Sequence, residues 1–432
     1  MEKFVISGQK KLRGEVEIRG AKNAALPILA ATLLTKEDCV IDNMPLIEDV
    51  FRMVNILEGL GAKIFWISQR KIKINCVDID PSKLSYKIVG NFRGSVLVLG
   101  PLLARFGKLK ISPPGGCIIG ARPLDTHFDA FAQLGVKIYP KGDFYYFEKN
   151  AGPKKEIVFS PELLETDMQE VVLREFSVTA TENALLFSSF FSGKTAIKIA
   201  DQDYQVQELV KVLGKMGAKT NISGIHAFEV EGAEKLKGFE HNLMADPIEA
   251  GTFIVASLIT GGEVLVKNAE VRFLTLFLKR LADFGANFEI LGNDLIKDLP
   301  SNKLRIDKIQ SLPYPGIHTD LQPELGVLAT QTKGPTLIHD PLYEGRLKYL
   351  EELNKMGADI IFCDPHRAII NGPTSLYGIE IPSLDLRAGA ALILAGLVAK
   401  GTTTINNIYQ VDRGYERIEE RLQSLGADIK RI

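Results

Sequence analysis

Leu60-Gly61-Ala62-Lys63-Ile64 returns along this chain as Leu134-Gly135-Val136-Lys137-Ile138, Met216-Gly217-Ala218-Lys219, Phe284-Gly285-Ala286-Asn287, Met356-Gly357-Ala358-Asp359-Ile360 and Leu425-Gly426-Ala427-Asp428-Ile429. The glycines stand 74, 82, 68, 72 and 69 residues apart, which is a regular period. Before each glycine lies a helix-like stretch, such as Tyr349-Leu350-Glu351-Glu352-Leu353-Asn354 or Glu416 to Leu422. After it comes a short strand such as Lys63-Ile64-Phe65-Trp66-Ile67. A glycine so placed reads as a left-handed helix cap that turns the chain back into a strand. A second phrase is an apolar helix ending near Gly-x-Thr. It occurs at 24–35, at 180–195, at 250–262 (AGTFIVASLITGG) and at 388–403 (AGAALILAGLVAKGTT). Such helices are apolar nearly all round, so each is expected to be buried among the others. Six copies of one mixed unit predict an α/β fold made by duplication, with strands outside and helices within. The long period favours two globular lobes of three units each over a solenoid, with a ligand cleft between them.

Composition narrows the function. At 432 residues the chain exceeds one ordinary core. Its 46% hydrophobic and 24% charged residues are those of a soluble globular protein. A formal charge of -1 exerts no global pull on nucleic acid or an anionic membrane, so any anion site must be a local cluster of arginine and lysine. The four cysteines, Cys39, Cys76, Cys117 and Cys363, form no C-x-x-C pair. That suggests neither a metal site nor a disulfide framework and fits a reducing compartment. No apolar run has signal-peptide or membrane-span length, so a cytoplasmic protein is expected.

Polar residues punctuate the repeats. In Pro113-Pro114-Gly115-Gly116-Cys117-Ile118-Ile119-Gly120-Ala121-Arg122-Pro123, two glycines precede a thiol that Arg105 and Arg122 flank in sequence. A nearby cation favours thiolate, which would make Cys117 reactive; the plainer reading is a surface loop with an incidental cysteine. Lys22 and Asn23, at the start of the first apolar helix, can meet an anion together with backbone amides, or can simply be solvated. Arg93, Arg346, Arg387 and Arg413 each sit at an element junction. That pattern suits a cage for a small dianion, because arginine grips phosphate or carboxylate with a fork. Asp385 and Asp412, adjacent to two of them, offer a competing role as ion-pair partners. Asp320, in His318-Thr319-Asp320-Leu321-Gln322-Pro323, is either a helix N-cap or a carboxylate able to accept a substrate's proton.

Taken together, GAKNAALPILAATLL, PPGGCIIGARPLD, HTDLQ, LDLRAGAALILAG and DRGYERIEERL resemble the UDP-N-acetylglucosamine 1-carboxyvinyltransferase family of enolpyruvyl transferases. The resemblance runs from Phe4 to Ile429. It implies a two-lobed inside-out α/β barrel of six repeated units, in which the chain crosses twice: 1–21 with 245–432 as one lobe, and 22–244, carrying the Cys117 loop, as the other. It also implies transfer of the enolpyruvyl group of phosphoenolpyruvate to the 3-hydroxyl of UDP-N-acetylglucosamine with release of phosphate, which opens peptidoglycan synthesis. No cofactor, metal, nucleic acid or membrane is implied. Position by position, Cys117 matches the cysteine that protonates the methylene carbon and is alkylated by fosfomycin. Lys22 and Asn23 match phosphoenolpyruvate-binding positions, Arg122, Arg387 and Arg413 match arginines around phosphate and carboxylate, and Arg346 matches a further cleft arginine. Asp320 matches the residue near the sugar hydroxyl. Arg93, the run Arg122, Pro123, Leu124, Asp125 and Thr126, then Ser177, Val178 and Leu342, match positions holding the nucleotide sugar.

The chain departs from the family pattern at four places: Thr179 replaces a glycine, Glu175 stands where some members carry a base, Pro247 replaces arginine, and Gly345 replaces a common asparagine. Two other readings share these residues: a transferase of the same fold with another acceptor, and a non-catalytic sugar-nucleotide sensor. The Gly-Gly-Cys loop argues against the first, and the intact Lys22, Cys117, Asp320, Arg387 and Arg413 argue against the second.

Overall fold

The computed structural model describes residues 2–84, 92–112, 123–150, 163, 167–292, 295–299 and 304–432. All six glycines of the recurring phrase adopt positive φ, from +82° at Gly135 to +109° at Gly217. At Gly61 the glycine N–H donates to Glu58 O and the next N–H, of Ala62, donates to Leu57 O, both at 2.9 Å. The same pair of bonds recurs at Gly217, Gly285, Gly357 and Gly426. This paired closure satisfies the last carbonyls of a helix and requires the left-handed residue that glycine supplies.

The strands around each cap repeat as well. Asp38–Asp42 leads through the helix Glu48–Gly59 to Lys63–Ser68. The chain then returns along Lys71–Asn75, antiparallel to both strands. The last repeat runs Thr402–Asn406, helix Ile418–Ser424, Asp428–Arg431, and its returning strand is Phe4–Ser7 from the other end of the chain. In five sheets one more strand pairs parallel to the first, as Glu240–Asn242 does with Asp38–Asp42 and Arg13–Glu17 does with Glu263–Lys267. The sheet of Lys108–Ile111, Val136–Lys141 and Phe144–Lys149 has three strands among the described residues.

Two compact units result. One holds residues 2–20 and Ala245–Ile432; the other holds the described residues from Ala21 to Met244. Each contains three of the six sheets formed by the described residues. In the first unit, the helices Pro247–Thr260, Gln322–Thr330 and Leu386–Val398 pack on one another and are buried along nearly their whole length. Their Ala and Gly content permits that close packing. A Cβ on Gly326 would lie 1.9 Å from the Tyr349 hydroxyl, so only glycine fits there. In the second unit Leu99–Phe106 packs on Val178–Ser189, while Tyr204–Met216 packs on both Lys22–Ala31 and Val178–Ser189. Burying each Leu, Ile or Val of these helices stabilises the fold by about 1.5–3 kcal/mol. The buried helices begin where capping chemistry is present. Asp246 accepts from Ile248 N–H (2.9 Å) with Pro247 at the first helical position, and Asp385 accepts from Arg387 N–H (2.8 Å) and Ala388 N–H (3.0 Å). Pro247, a departure from the expected arginine, thus fills a position where a missing N–H costs nothing.

Candidate functional site

In the first unit, the turn Thr319–Leu321 delivers Asp320 to two arginines that sequence places far away. Arg346 Nη2 donates to Asp320 Oδ1 at 2.8 Å, and Arg387 Nε donates to Oδ2 at 3.1 Å. Both guanidinium groups are almost fully buried, with side chains 2% and 3% exposed, whereas Asp320 is 18% exposed. The carboxylate is therefore the member of the cluster that faces outward. The N-cap reading of Asp320 does not hold, because His318 Nδ1 accepts the Asp320 N–H at 2.9 Å and the Asp320 side chain is spent on the arginines. Arg346 Nε also donates to Thr319 Oγ1 (3.1 Å), whose hydroxyl donates to Asp340 Oδ2 (2.6 Å). Burial opposes its charge, yet Asp320, Asp385 and Asp340 hold the pKa of Arg346 above its ordinary value.

The adjacent aspartates serve other groups than their neighbouring arginines, Asp385 adding countercharge to Arg346. The Asp385 side chain caps its helix, and Asp412 takes two hydrogen bonds from Arg431 at 3.0 and 2.5 Å. Arg413 instead donates to Gln410 Oε1 at 3.1 Å. Leu342 is exposed, its N–H held by Asp340 Oδ1 at 3.0 Å.

Behind Arg387 lies a layer that sequence reasoning missed. Arg387 Nη1 donates to the Tyr415 hydroxyl (3.0 Å). Tyr415 OH lies 2.8 Å from Thr252 Oγ1 and 3.2 Å from Glu324 Oε1, and Thr252 Oγ1 is 3.0 Å from the same Oε1. Glu324 Oε2 is buried with no hydrogen-bond partner among the described residues. Burial pushes the Glu324 carboxyl up to about 7 against the pull of Arg387. The only signal in sequence was spacing: Glu324 follows Asp320 by four residues, and Tyr415 follows Arg413 by two.

In the second unit Lys22 opens the helix Lys22–Ala31 and pairs with Asp49 at 2.8 Å, both side chains largely buried. Asn23 Nδ2 donates to the Tyr204 hydroxyl at 3.1 Å. Three of the expected nucleotide-sugar segments come together. Thr126 Oγ1 donates to Glu175 Oε1 (2.9 Å), two residues before Ser177, which caps the helix Val178–Ser189. His127 Nε2 lies 3.0 Å from Thr179 Oγ1. Burial first, and then the charge of Arg93, pushes the His127 pKa down to about 3. Thr179 and Glu175, two of the departures, are thus both engaged here. Leu124 is buried, while Pro123 and Asp125 are exposed at the start of the helix Asp125–Gln133. Cys117 and Arg122 lie outside the described residues. Among the described residues no group of three or more His, Cys, Asp or Glu could hold a metal ion, and no helix is long and apolar enough to cross a membrane.

The arrangement of buried guanidinium groups around one outward carboxylate suits an anionic substrate that must also lose a proton. The fold is that of the enolpyruvyl transferases. A crystal structure of the enolpyruvyl transferase NikO from Streptomyces tendae superposes with a TM-score of 0.87 at 25% identity, covering 100% of this chain and 99% of that one. An EPSP synthase from Acinetobacter baumannii superposes at 0.75 with 19% identity, covering both chains in full. The family model of EPSP synthase (3-phosphoshikimate 1-carboxyvinyltransferase) matches residues 6–422, and the chain belongs to that family. Within it, the chain is 40% identical over 433 residues to UDP-N-acetylglucosamine 1-carboxyvinyltransferase 2 of Carboxydothermus hydrogenoformans, covering both in full. It is 38% identical over 438 residues to UDP-N-acetylglucosamine 1-carboxyvinyltransferase of Treponema denticola, covering 100% of this chain and 99% of the relative.

Proposed function

We propose that this chain transfers the enolpyruvyl group of phosphoenolpyruvate to the 3-hydroxyl of UDP-N-acetylglucosamine and releases phosphate, the step that opens peptidoglycan synthesis in the cytoplasm. The observation that carries this reading is Asp320, exposed on one side and gripped by Arg346 and Arg387 on the other. In the addition step the acceptor oxygen attacks the carbon bearing the phosphate while the methylene carbon gains a proton. In the elimination step that carbon loses a proton and phosphate leaves. An acid and a base on opposite sides of the reacting carbons supply both proton transfers. Cys117 takes the methylene side and Asp320 the hydroxyl side. Lys22, Arg387 and Arg413 bind phosphate and carboxylate, and Asn23 orients the phosphate. Such fixed donors stabilise charge as it develops and need no reorganisation at the moment of reaction. Arg93, the run Arg122 to Thr126, Ser177 with Val178, and Leu342 hold the nucleotide sugar, and Arg346 keeps Asp320 in place.

The test is phosphate release from phosphoenolpyruvate with UDP-N-acetylglucosamine, beside Cys117→Ala and a control without acceptor. Release that requires the acceptor and collapses in the variant is expected. Release without acceptor, or none with it, overturns the assignment.

A further inference from the structure

Asp320 lies between two buried arginines, and that placement makes it a poor base. Something must offset at least one of those positive charges if Asp320 is to take a proton. On the buried side of Arg387 the structure places a second carboxylate within two hydrogen bonds. Arg387 Nη1 donates to Tyr415 OH at 3.0 Å, and Tyr415 OH reaches Glu324 Oε1 at 3.2 Å. Thr252 supplies the other hydroxyl to that oxygen, at 3.0 Å. Resting on the role just given to Asp320, we propose that Glu324 is a positioning residue for the transfer: it shares the charge of Arg387 through the Tyr415 hydroxyl and so keeps Asp320 basic enough to accept the acceptor's proton.

Hydrogen-bond geometry supports two coherent states. With Glu324 ionised, the Tyr415 and Thr252 hydroxyls both point at Oε1, and the tyrosine oxygen receives Arg387. The guanidinium then belongs to two carboxylates. With Glu324 protonated on Oε1, that proton goes to a neighbouring hydroxyl oxygen, and Thr252 turns its own hydrogen to Ile248 O, 3.1 Å away. Arg387 then loses the countercharge of Glu324 and presents more of its own charge to Asp320. Oε2, buried with no partner among the described residues, leaves the ionised state incompletely satisfied, so neither state dominates overwhelmingly. The groups facing Glu324 are Arg387 from the helix Leu386–Val398, Asp320 from its own preceding turn, Thr252 from Pro247–Thr260, and the phenols Tyr415 and Tyr349. Among these described groups the cation is Arg387. Burial, offset in part by Arg387, pushes Glu324 up to about 7, which places its change of state inside the working pH range.

The experiment is the pH dependence of kcat and KM between pH 5.5 and 9 for the wild type, Glu324→Gln, Glu324→Asp and Tyr415→Phe, with thermal unfolding followed over the same range. The wild type is expected to gain activity through an ionisation near neutrality. Glu324→Gln should lose that limb, with kcat down about tenfold at pH 8 and KM for the acceptor little changed. Glu324→Asp should restore the limb, and Tyr415→Phe should remove it while leaving the acid in place. The proposal fails if Glu324→Gln or Tyr415→Phe keeps the wild-type profile, or if all variants scale kcat by one pH-independent factor. If Glu324→Gln does not fold, Tyr415→Phe alone decides in the same way. A wild type without acceptor-dependent phosphate release would instead sink the assignment of the reaction, a result separable from every outcome above.

Discussion

Asp320 shows how far a single residue can be read. Its place before a helix was visible in sequence, but its partners lie 26 and 67 residues away, and no local pattern records them. Replacing it by Asn leaves Arg346 and Arg387 buried without their shared countercharge. We expect Asp320→Asn to lose at least about a hundredfold in kcat and about 3 kcal/mol of stability, read by steady-state assay and denaturant unfolding. His127 was invisible because its signal is a contact, not a motif. Burial and Arg93 hold it neutral down to about pH 3, whereas an unfolded chain protonates histidine near pH 6.5. The unfolded state therefore binds the extra proton between those values, and stability falls as pH drops through that window. In His127→Gln the slope of unfolding free energy against pH between 6 and 4 should be shallower than in the wild type; an identical slope would remove His127 from the account. Cys117, the most legible residue of all, is tested chemically: saturating fosfomycin should abolish phosphate release, and full residual activity would rule out its assigned role.

At the scale of elements, the caps were legible because a left-handed helix end has a distinct composition, and the structure bears out all six. Their costs of replacement should differ by surroundings. A Cβ on Gly217 meets nothing within 4 Å, whereas one on Gly61 would lie 2.6 Å from Asp78 O. Gly217→Ala should cost about 1–2 kcal/mol from backbone conformation alone. Gly61→Ala should cost more, because a backbone carbonyl cannot move aside; equal losses in thermal unfolding would show that packing is irrelevant there. Four apolar helices could be read from their runs of Ala, Leu and Ile. Two could not. Leu99–Phe106 contains Pro101 and follows a 3₁₀ turn, and Gln322–Thr330 starts with Gln322, Pro323 and Glu324, which disguise a fully buried segment as a surface one. Polar residues inside a core read as exterior until their partners, here Tyr349, Tyr415 and Thr252, are known.

At the scale of the molecule, periodicity foretold six units but not how the sixth is completed. The strand Phe4–Ser7 lies between Thr402–Asn406 and Asp428–Arg431, so the last repeat borrows its returning strand from the start of the chain. Pairing beyond that strand continues to the ends themselves: Lys3 N–H donates to Ile432 O at 2.9 Å, and Ile432 N–H donates to Lys3 O at 3.0 Å. Deleting residues 1–8 should therefore unfold the unit that holds Asp320 before the other, visible as two transitions in place of the wild-type profile.

The same closure holds residues 3 and 432 side by side, as the two arms of a hairpin are held. Phe4–Ser7 meets Asp428–Arg431 in the antiparallel register that a returning strand takes across an ordinary hairpin. Joining residue 432 to residue 3 by a short linker and opening the chain at the exposed Gly142-Asp143 turn should yield a circular permutant that folds and turns over like its parent.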